Sequence, residues 1–568
     1  MVRVTLRSAQ MSDGSTIEIP DSGVVIIVGP NNAGKSQFLR DIIGLSRDPA
    51  NYQKKTLTGI KTDFENTEGI ERWVSENVPK IERDGTFRVL VDGWGEVGPN
   101  DVVSSWSQLS SQGHLAHLTS LFILHADGNS RLTSANPQSN IDFATQLPTN
   151  PIQAAYIDPD IEAQLSEQTQ AAFGQKVSVE RWAGAQLFLR IGDPPEFGGH
   201  PTGVPSREFL NARNMLPALH EQGDGVRSYA GLLLNLLAGR HQIYLVDEPE
   251  AFLHPPQSRR LGRVLADQTV QKQAIIATHS SSILQGALES EQRTTIIRIT
   301  RRGDINHAAV ISHSALNTLW SDPLLRYSNL FDGLFHDAVI LCEGDSDCKY
   351  YSAVLDQHDD ETHRAPQLLF SHCGGKSRMP NVVTALRAAK VPVVVTPDID
   401  LLRDKDVLMK LIGAMGGDFS VIEPRWNVLR SAVADTNRLP LTSEVRANVN
   451  QYFENEAGDR LTSADQRKLN SMLKAESGWT ALKRSGASAI PQGDATAAFN
   501  DINAYLKDIG ILVVPCGELE RFETDIPDHG PKWVSQVFEA NRHLSPSQAS
   551  RDYTKLIRDT AALLAQTN

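Results

Sequence analysis

The chain has few of the features that would place it in an oxidising or membranous setting. Only four cysteines occur in 568 residues, Cys342, Cys348, Cys373 and Cys516, all in the second half. They make no disulfide framework and no Cys-x-x-Cys pair, and a reducing cytoplasm suits them better. Cys342 and Cys516 close short apolar runs, so buried free thiols are expected rather than zinc ligands. No apolar stretch approaches the ~20 residues of a membrane span. The first residues, Met1-Val2-Arg3-Val4-Thr5-Leu6-Arg7, alternate like a strand and hold no signal-peptide core. A cytoplasmic protein without membrane attachment is the expectation. A basic excess is also missing: 55 lysines and arginines face 68 acids, for a formal net charge of -13. That excludes a protein that coats nucleic acid by charge alone. An enzyme with a local basic channel stays open, since metal ions bring positive charge to clustered acids. Arg298, Arg301 and Arg302, or Lys483 and Arg484, could meet phosphates, although a solvated surface is the plainer reading of each. Low-complexity tracts, repeats and long heptad stretches are absent, and the length implies two or three globular domains.

What the chain does have is phosphate chemistry. Gly29-Pro30-Asn31-Asn32-Ala33-Gly34-Lys35-Ser36 follows the apolar run Val24–Val28 and fits Gly-x-x-x-x-Gly-Lys-Ser in full. In such a loop the backbone N–H groups around Gly29, Asn31, Asn32 and Gly34 cradle phosphates. Lys35 reaches the β and γ oxygens, and Ser36 ligates magnesium. Apolar spacing over Gln37–Ile43 predicts a helix whose N-terminus adds its dipole to the anion site. A second apolar run, Gln242–Val246, ends in Asp247-Glu248, which sets one carboxylate on the magnesium and the next beside the attacking water. A third, Ala274–Thr278, ends in His279, a position suited to sensing the γ-phosphate. Upstream, Gly223-Asp224-Gly225-Val226-Arg227-Ser228 is a Gly-rich turn leading into the apolar helix Tyr229–Leu237. Alone, that turn would be a loop-to-helix junction and His279 a structural histidine. Their order beside the other motifs reverses both readings.

In this order the motifs resemble the ABC-type ATPase heads shared with SMC and Rad50 proteins. Glu250-Ala251-Phe252-Leu253-His254-Pro255 stands where those heads carry a D-loop. The turn from Gly223 to Ser228 departs from Leu-Ser-Gly-Gly and looks like the variant of stand-alone ABC-like ATPases. The resemblance implies that Gly223, Gly225 and Ser228 of one head close on the partner's ATP. A homodimer or higher even-numbered homo-oligomer follows. Residues 50–215 hold an inserted element, with strand-like runs at Leu118–Leu124 and Ala185–Ile191.

From about Phe335 short buried runs alternate with helical segments: Ala338–Cys342, Gln367–Ser371, Val391–Thr396 and Ile511–Pro515. That pattern predicts a parallel α/β sheet, with its site at the carboxyl ends of the strands. Glu343 and Asp347 follow the first run, Asp398 and Asp400 the third, and Glu518 and Glu520 the fourth. Carboxylates gathered there repel one another unless divalent cations neutralise them, the arrangement of two-metal phosphodiester hydrolysis. Glu-Gly-x-x-Asp with a later Asp-x-Asp resembles the TOPRIM domain of topoisomerases, primases and OLD-family (overcoming lysogenisation defect) nucleases. Gly374-Gly375-Lys376 fits that domain as well, and Asp345 reads as an ordinary exposed acid. An ABC-type head followed by TOPRIM resembles OLD-family nucleases, including the nuclease subunit of Gabija anti-phage systems. That resemblance implies further metal ligands in Gly517-Glu518-Leu519-Glu520 and a transition-state lysine after them, for which Lys532 is the candidate.

The expected protein is therefore α/β: an ABC/SMC-like ATPase head over 1–330, then a TOPRIM domain over 331–568 with a helical insertion at about 401–506. Its expected function is ATP-regulated, metal-dependent cleavage of DNA, with ATP and Mg2+ or Mn2+ as cofactors and phage defence as the setting. Glu343, Asp398, Asp400, Lys532 and Glu248 are the catalytic candidates. Glu343, Asp347, Asp398, Asp400, Glu518, Glu520, Ser36 and Asp247 are the candidate metal ligands. DNA, a second copy of the chain and a helicase-type protein are the candidate partners. The rival is an ABC-type ATPase that loads on DNA or signals without cutting it.

Overall fold

The computed structural model divides into two compact units, Met1–His313 and Ser314–Asn568. The structure describes residues 2–83, 86–91, 95–142, 144, 146–200, 203–311, 329–358, 366–434, 442–455, 460–473 and 477–567.

The first unit is built on a six-stranded sheet. Its order is Ile305–Ile311, Thr294–Arg302, Gly23–Val28, Gln273–Ala277, Ile243–Asp247, Ile123–Ala126. The first two form an antiparallel hairpin, and every other pair is parallel. Parallel strands covered on both faces need continuous apolar runs. Val24–Val28 and Gln273–Ala277 are buried throughout. Because these strands run one way, Val28, Ala126, Asp247 and Ala277 all finish on the same edge. Leu118–Leu124, expected as one strand, is divided: Thr119–Phe122 is a helical turn, and Ile123–Ala126 is the edge strand. Gln186–Ile191 lies instead in a small antiparallel sheet with Val177–Glu180 and Gln138–Ser139.

A second antiparallel sheet, Thr16–Glu18, Arg3–Met11 and Leu57–Glu65, packs beside the first. Two glutamines at strand starts join the layers. Gln273 accepts from Leu6 N and donates to Leu6 O, both at 2.8 Å, and Gln242 does the same with Val4 N and Val2 O. The helix Lys35–Arg47 buries Phe38, Leu39, Ile42 and Leu45. Asp41, on that same face, is fully buried. Its carboxylate accepts from Thr56 N (2.6 Å), Leu57 N (2.8 Å), Gln37 Nε2 (2.7 Å) and Tyr52 OH (2.9 Å). The phosphate-loop helix is thereby fixed to the strand Leu57–Glu65.

In the second unit Leu368–His372, Ala338–Cys342 and Val393–Thr396 form a parallel sheet in that order. The fourth expected strand is not regular. Ile511 makes one parallel bridge to Val395, and Leu512 N and Val514 N donate to Val395 O and Pro397 O. Gly510 (φ 85°) and Gly517 (φ 110°) confine this run between two turns. Helices fill the segment before it, among them Lys405–Ala414, Glu423–Ala434, Gly478–Ser485 and Asp494–Asp508. The long helix Gln548–Thr567 closes the core with Tyr553, Ile557 and Ala561.

Asp41→Ala leaves two buried backbone N–H groups without an acceptor. It is expected to lower the stability of the first unit by roughly 2–4 kcal/mol in urea unfolding. A change within 0.5 kcal/mol of zero, about the size of a surface substitution, would contradict this account.

Candidate active sites

The phosphate loop is shaped by backbone geometry. Gly29 (φ 144°), Asn32 (φ 62°) and Gly34 (φ 96°) occupy left-handed conformations. A Cβ at Gly34 would stand 2.8 Å from Thr56 Oγ1 and 2.9 Å from Asn306 Nδ2. Asn306 Nδ2 itself donates to Ala33 O at 2.6 Å, so the hairpin at the sheet edge holds the loop. Lys35 Nζ donates to Gly29 O (2.8 Å) and Pro30 O (3.0 Å), curled over the loop it serves. Burial lowers its pKa, against the pull of Glu248, Glu250 and Asp247. Ser36 Oγ donates to Asp247 Oδ1 at 2.8 Å, which brings together the hydroxyl and carboxylate that would share a cation. Burial raises the pKa of Asp247, and the Ser36 bond opposes it.

Glu248 takes φ 46°, and its carboxylate and the His279 ring are both half-exposed. His279 Nδ1 lies 3.6 Å from Glu248 Oε1 and 3.3 Å from Glu250 Oε1. Thr278 Oγ1 and His279 N both donate to Glu250 Oε1, at 2.7 and 2.9 Å, joining the strand end to the Asp247–Glu250 turn. Gly223 and Asp224 stand exposed at the start of the helix Asp224–Ala238. Gly225 packs so closely that an added Cβ would lie 2.7 Å from Phe252 O. Ser228 is different: it is 1% exposed and accepts a hydrogen bond from Arg131 Nε at 3.0 Å. The expected contact of its hydroxyl with a partner's nucleotide does not fit that inward position.

Arg131, absent from the sequence candidates, is the hub of this edge. It sits on the short helix Gly128–Thr133 after the edge strand and is 1% exposed. Nη1 donates to Asp247 O (2.6 Å) and Ala126 O (3.1 Å), and Nη2 to Glu248 O (3.0 Å). One guanidinium thus joins the Asp247-Glu248 turn to the Ser228 helix.

In the second unit Glu343, Asp398 and Asp400 each present a carboxylate oxygen within 4.8 Å of the others, and Glu518, Glu520 and His529 do the same. Burial and then the charge of Asp400 raise the pKa of Glu343; burial and then Glu343 raise that of Asp398. Glu343 Oε2 is a buried oxygen without a hydrogen-bond partner. That orphaned oxygen and the oxygen-rich donor set fit a hard divalent cation such as Mg2+ or Mn2+. Glu343, Asp398 and Asp400 would hold it, with Glu518 and Glu520 beside them. Asp347 belongs to neither group of three. Its Oδ2 accepts from Gly344 N at 2.7 Å at the start of the helix Asp345–His358. Burial, with the charges of Glu343 and Glu520, pushes it up to about 7, against the Gly344 bond.

Among the described residues, the lysines within 4 Å of these carboxylates are Lys376 and Lys483. Lys376 Nζ is 3.0 Å from Asp400 Oδ1. Lys483 Nζ is 3.1 Å from Asp398 Oδ2, 3.9 Å from Asp400 Oδ2 and 4.0 Å from Glu518 Oε2. Lys532 is exposed in the first turn of Pro531–Glu539, next to Gly530, whose N–H donates to Glu520 Oε1 at 2.7 Å. Asp345 is exposed and paired with Lys349. Of the arginines weighed for phosphate contact, Arg298 is buried. Cys342, Cys348 and Cys373 are buried thiols. Burial pushes Cys373 up to about 11 and Cys516 up to about 12, which disfavours the thiolate that binds metal.

Residues 74–285 match the family model AAA_21, "AAA domain, putative AbiEii toxin, Type IV TA system". Residues 334–400 match "Overcoming lysogenization defect protein-like, TOPRIM domain", a span containing Glu343, Asp347, Asp398 and Asp400. The chain joins an AAA-type ATPase domain to a TOPRIM domain. That pairing, in that order, matches the OLD-family ATPase–TOPRIM proteins. It implies the use of nucleotide and a divalent cation. No curated protein matches the chain. Among solved structures, the chain is similar to the Smc head domain with an extended coiled coil bound to the C-terminal domain of ScpA, derived from Pyrococcus furiosus. Identity is 10%, over 56% of this chain and 99% of that one, with TM-score 0.33. It is also similar to the SMC head domain from Thermotoga maritima (14% identity, 54% and 98% coverage, TM-score 0.29). A nucleotide-free ATP-binding cassette from an ABC transporter follows at 11% identity, 57% and 98% coverage and TM-score 0.26. Among the described residues no helix is long and apolar enough to cross a membrane.

Two expectations follow. Arg131→Ala should slow steady-state ATP hydrolysis by roughly ten- to a hundredfold, the loss of one to two charged hydrogen bonds. Nucleotide affinity, measured with a fluorescent analogue, should move far less; an equal loss in both would make Arg131 part of the binding site. Raised carboxylate pKa values mean that the folded second unit keeps protons the unfolded chain releases. Their contribution to its stability is greatest at low pH and is lost as pH rises through the folded value, about 7 for Asp347. Melting temperature should therefore fall between about pH 4 and pH 7, Asp347→Asn should flatten that slope, and Mg2+ should stabilise most at the alkaline end. A wild-type melting temperature indifferent to both pH and Mg2+ would refute this reading.

Proposed function

We propose that the protein is an ATP-regulated, divalent-metal-dependent DNA endonuclease of anti-phage defence, working as a homodimer or higher even-numbered assembly in the cytoplasm. The observation that carries the nuclease reading is the convergence of Glu343, Asp398 and Asp400 within 4.8 Å at the carboxyl ends of parallel strands. It lies in a segment matching a TOPRIM domain. A divalent cation held there supplies Lewis-acid charge to the phosphodiester. Water adds to phosphorus, the P–O bond to the departing sugar breaks, and that oxygen takes up a proton. Glu343, Asp398 and Asp400 orient the cation, while Glu518 and Glu520 present a second carboxylate pair beside them. In the first unit Lys35 and Ser36 would hold the triphosphate, Asp247 with Ser36 would hold its magnesium, and Glu248 with His279 would orient the attacking water. The exposed Gly223 and Asp224 support closure of a second head on that nucleotide. The defence setting rests on resemblance alone, and the helicase-type partner has no support in the family matches.

Supercoiled plasmid, incubated with the protein and Mg2+ or Mn2+, with and without ATP, tests this reading. Nicked or linear product is expected, lost in Glu343→Ala and altered in its ATP response by Lys35→Ala. Plasmid left intact under every condition, with ATP still hydrolysed, would favour the rival of a non-cleaving ATPase.

A further inference from the structure

The carboxylate centre holds a positive charge that comes from an unexpected part of the chain. Lys483 belongs to the helix Gly478–Ser485, within the segment that separates Asp400 from the Ile511 run. Its backbone is pressed on the turn that carries Glu518: an added Cβ at Gly517 would lie 2.1 Å from Lys483 O, and one at Gly486 would lie 2.4 Å from Pro515 O. Ala487 N donates to Pro515 O at 3.1 Å, and Ile399 N donates to Gly517 O at 3.0 Å. These contacts fix the base of the side chain against both the Asp398 and the Glu518 turns. The ammonium, with the side chain 37% exposed, then lies 3.1 Å from an oxygen of Asp398, one of the three acids that would hold a cation. Lys376 lies on Asp400 through its other oxygen, and Arg521 Nε lies 3.3 Å from Glu518 Oε1, so Lys483 is the near cation of Asp398 and shares Glu518, whose Oε2 is 4.0 Å away.

We propose that Lys483 is the tethered cation of this centre, competing with the divalent ion for Asp398 and Glu518 and turning to the phosphodiester once that ion is bound. This rests on the nuclease reading and gives Lys483 the charge-steadying role for which Lys532 was the sequence candidate. Two attractive forces decide the outcome. Without a divalent ion the nearest anions are the carboxylates; with one, they are neutralised and like charges repel. The scissile phosphate is then the strongest anion within the reach of a lysine side chain. An ammonium placed there acts on charge that grows in the transition state. The helical segment between Asp400 and Ile511 thereby contributes a residue to the chemistry.

The test measures Mn2+ affinity by titration calorimetry without DNA, and cleavage rate at saturating Mn2+, for the full chain. Lys483→Met and Lys483→Gln are each expected to bind Mn2+ at least about fivefold more tightly and to cleave at least about fiftyfold more slowly. Lys483→Arg, which keeps the charge, should stay within about threefold of wild type in Mn2+ affinity. Unchanged Mn2+ affinity in both neutral variants, or cleavage as fast as wild type, would overturn the proposal while leaving the nuclease standing. A wild type that neither binds Mn2+ nor cleaves would remove both together.

Discussion

Repulsion among carboxylates is the constraint around which the second unit is built. Glu343, Asp398, Asp400, Glu518 and Glu520 are drawn together at the edge where the strands of one sheet finish, and their partial burial weakens the screening of each by solvent. The chain answers the repulsion in three ways at once. Burial and mutual charge raise the pKa values of Glu343, Asp347 and Asp398, so that each holds a proton more tightly than a free carboxyl does. Lysines 376 and 483 are brought within 3.0 and 3.1 Å of the acids. Backbone N–H groups of Gly344 and Gly530 donate to Asp347 and Glu520. Each answer is partial, and an oxygen of Glu343 stays without a partner. A divalent cation completes what protons and lysines only approximate.

The first unit solves a different problem, that of joining two turns which must respond to the same phosphate. The Ser36–Asp247 bond closes one side, and Arg131 closes the other by donating to the carbonyls of Asp247 and Glu248. Because the same guanidinium bonds Ser228, a shift at the Asp247 turn strains the helix that begins at Asp224. A buried arginine with four such bonds cannot follow one partner without losing another. That is a physical route from nucleotide to the surface where a second head would close.

Motifs that lie at strand ends were legible in the sequence, because a parallel strand buried on both faces writes itself as an apolar run and the next residues are then at the site. Lys35, Ser36, Asp247, His279, Glu343, Asp398 and Asp400 were singled out this way, and each follows or closes such a strand. Residues delivered by helices were less so. Arg131 had only the weak signal of an apolar strand followed by Asp127, and Lys483 was weighed as a phosphate contact but, in a polar helical segment, read more plainly as a solvated lysine. Ser228 shows the reverse error: a motif fixes the place of a residue along the chain, but the phase of the helix decides which way it faces. Ser228 falls on the inner face, among Tyr229, Leu232 and Leu236.

The position of Lys483 also bears on why the helical segment interrupts the sheet where it does. A segment that leaves the sheet after Asp400, at the carboxylate edge, must cross back to the opposite edge to begin the parallel Ile511 run, and the helix Gly478–Ser485 passes the site on that path. The returning helix sets Lys483 O against Gly517, and Gly486 at its C-terminal end lies against Pro515 O; both glycines take left-handed conformations that a side chain would strain. Glycine at those points lets a lysine-bearing helix approach the Glu518 turn closely enough for the ammonium to reach three carboxylates. A Cβ at either glycine would force that helix outward and weaken the Lys483 contacts without altering a single acid. The charge balance of the site is in this sense set by backbone packing between the insertion and the Gly517 turn, and the acids alone do not determine it.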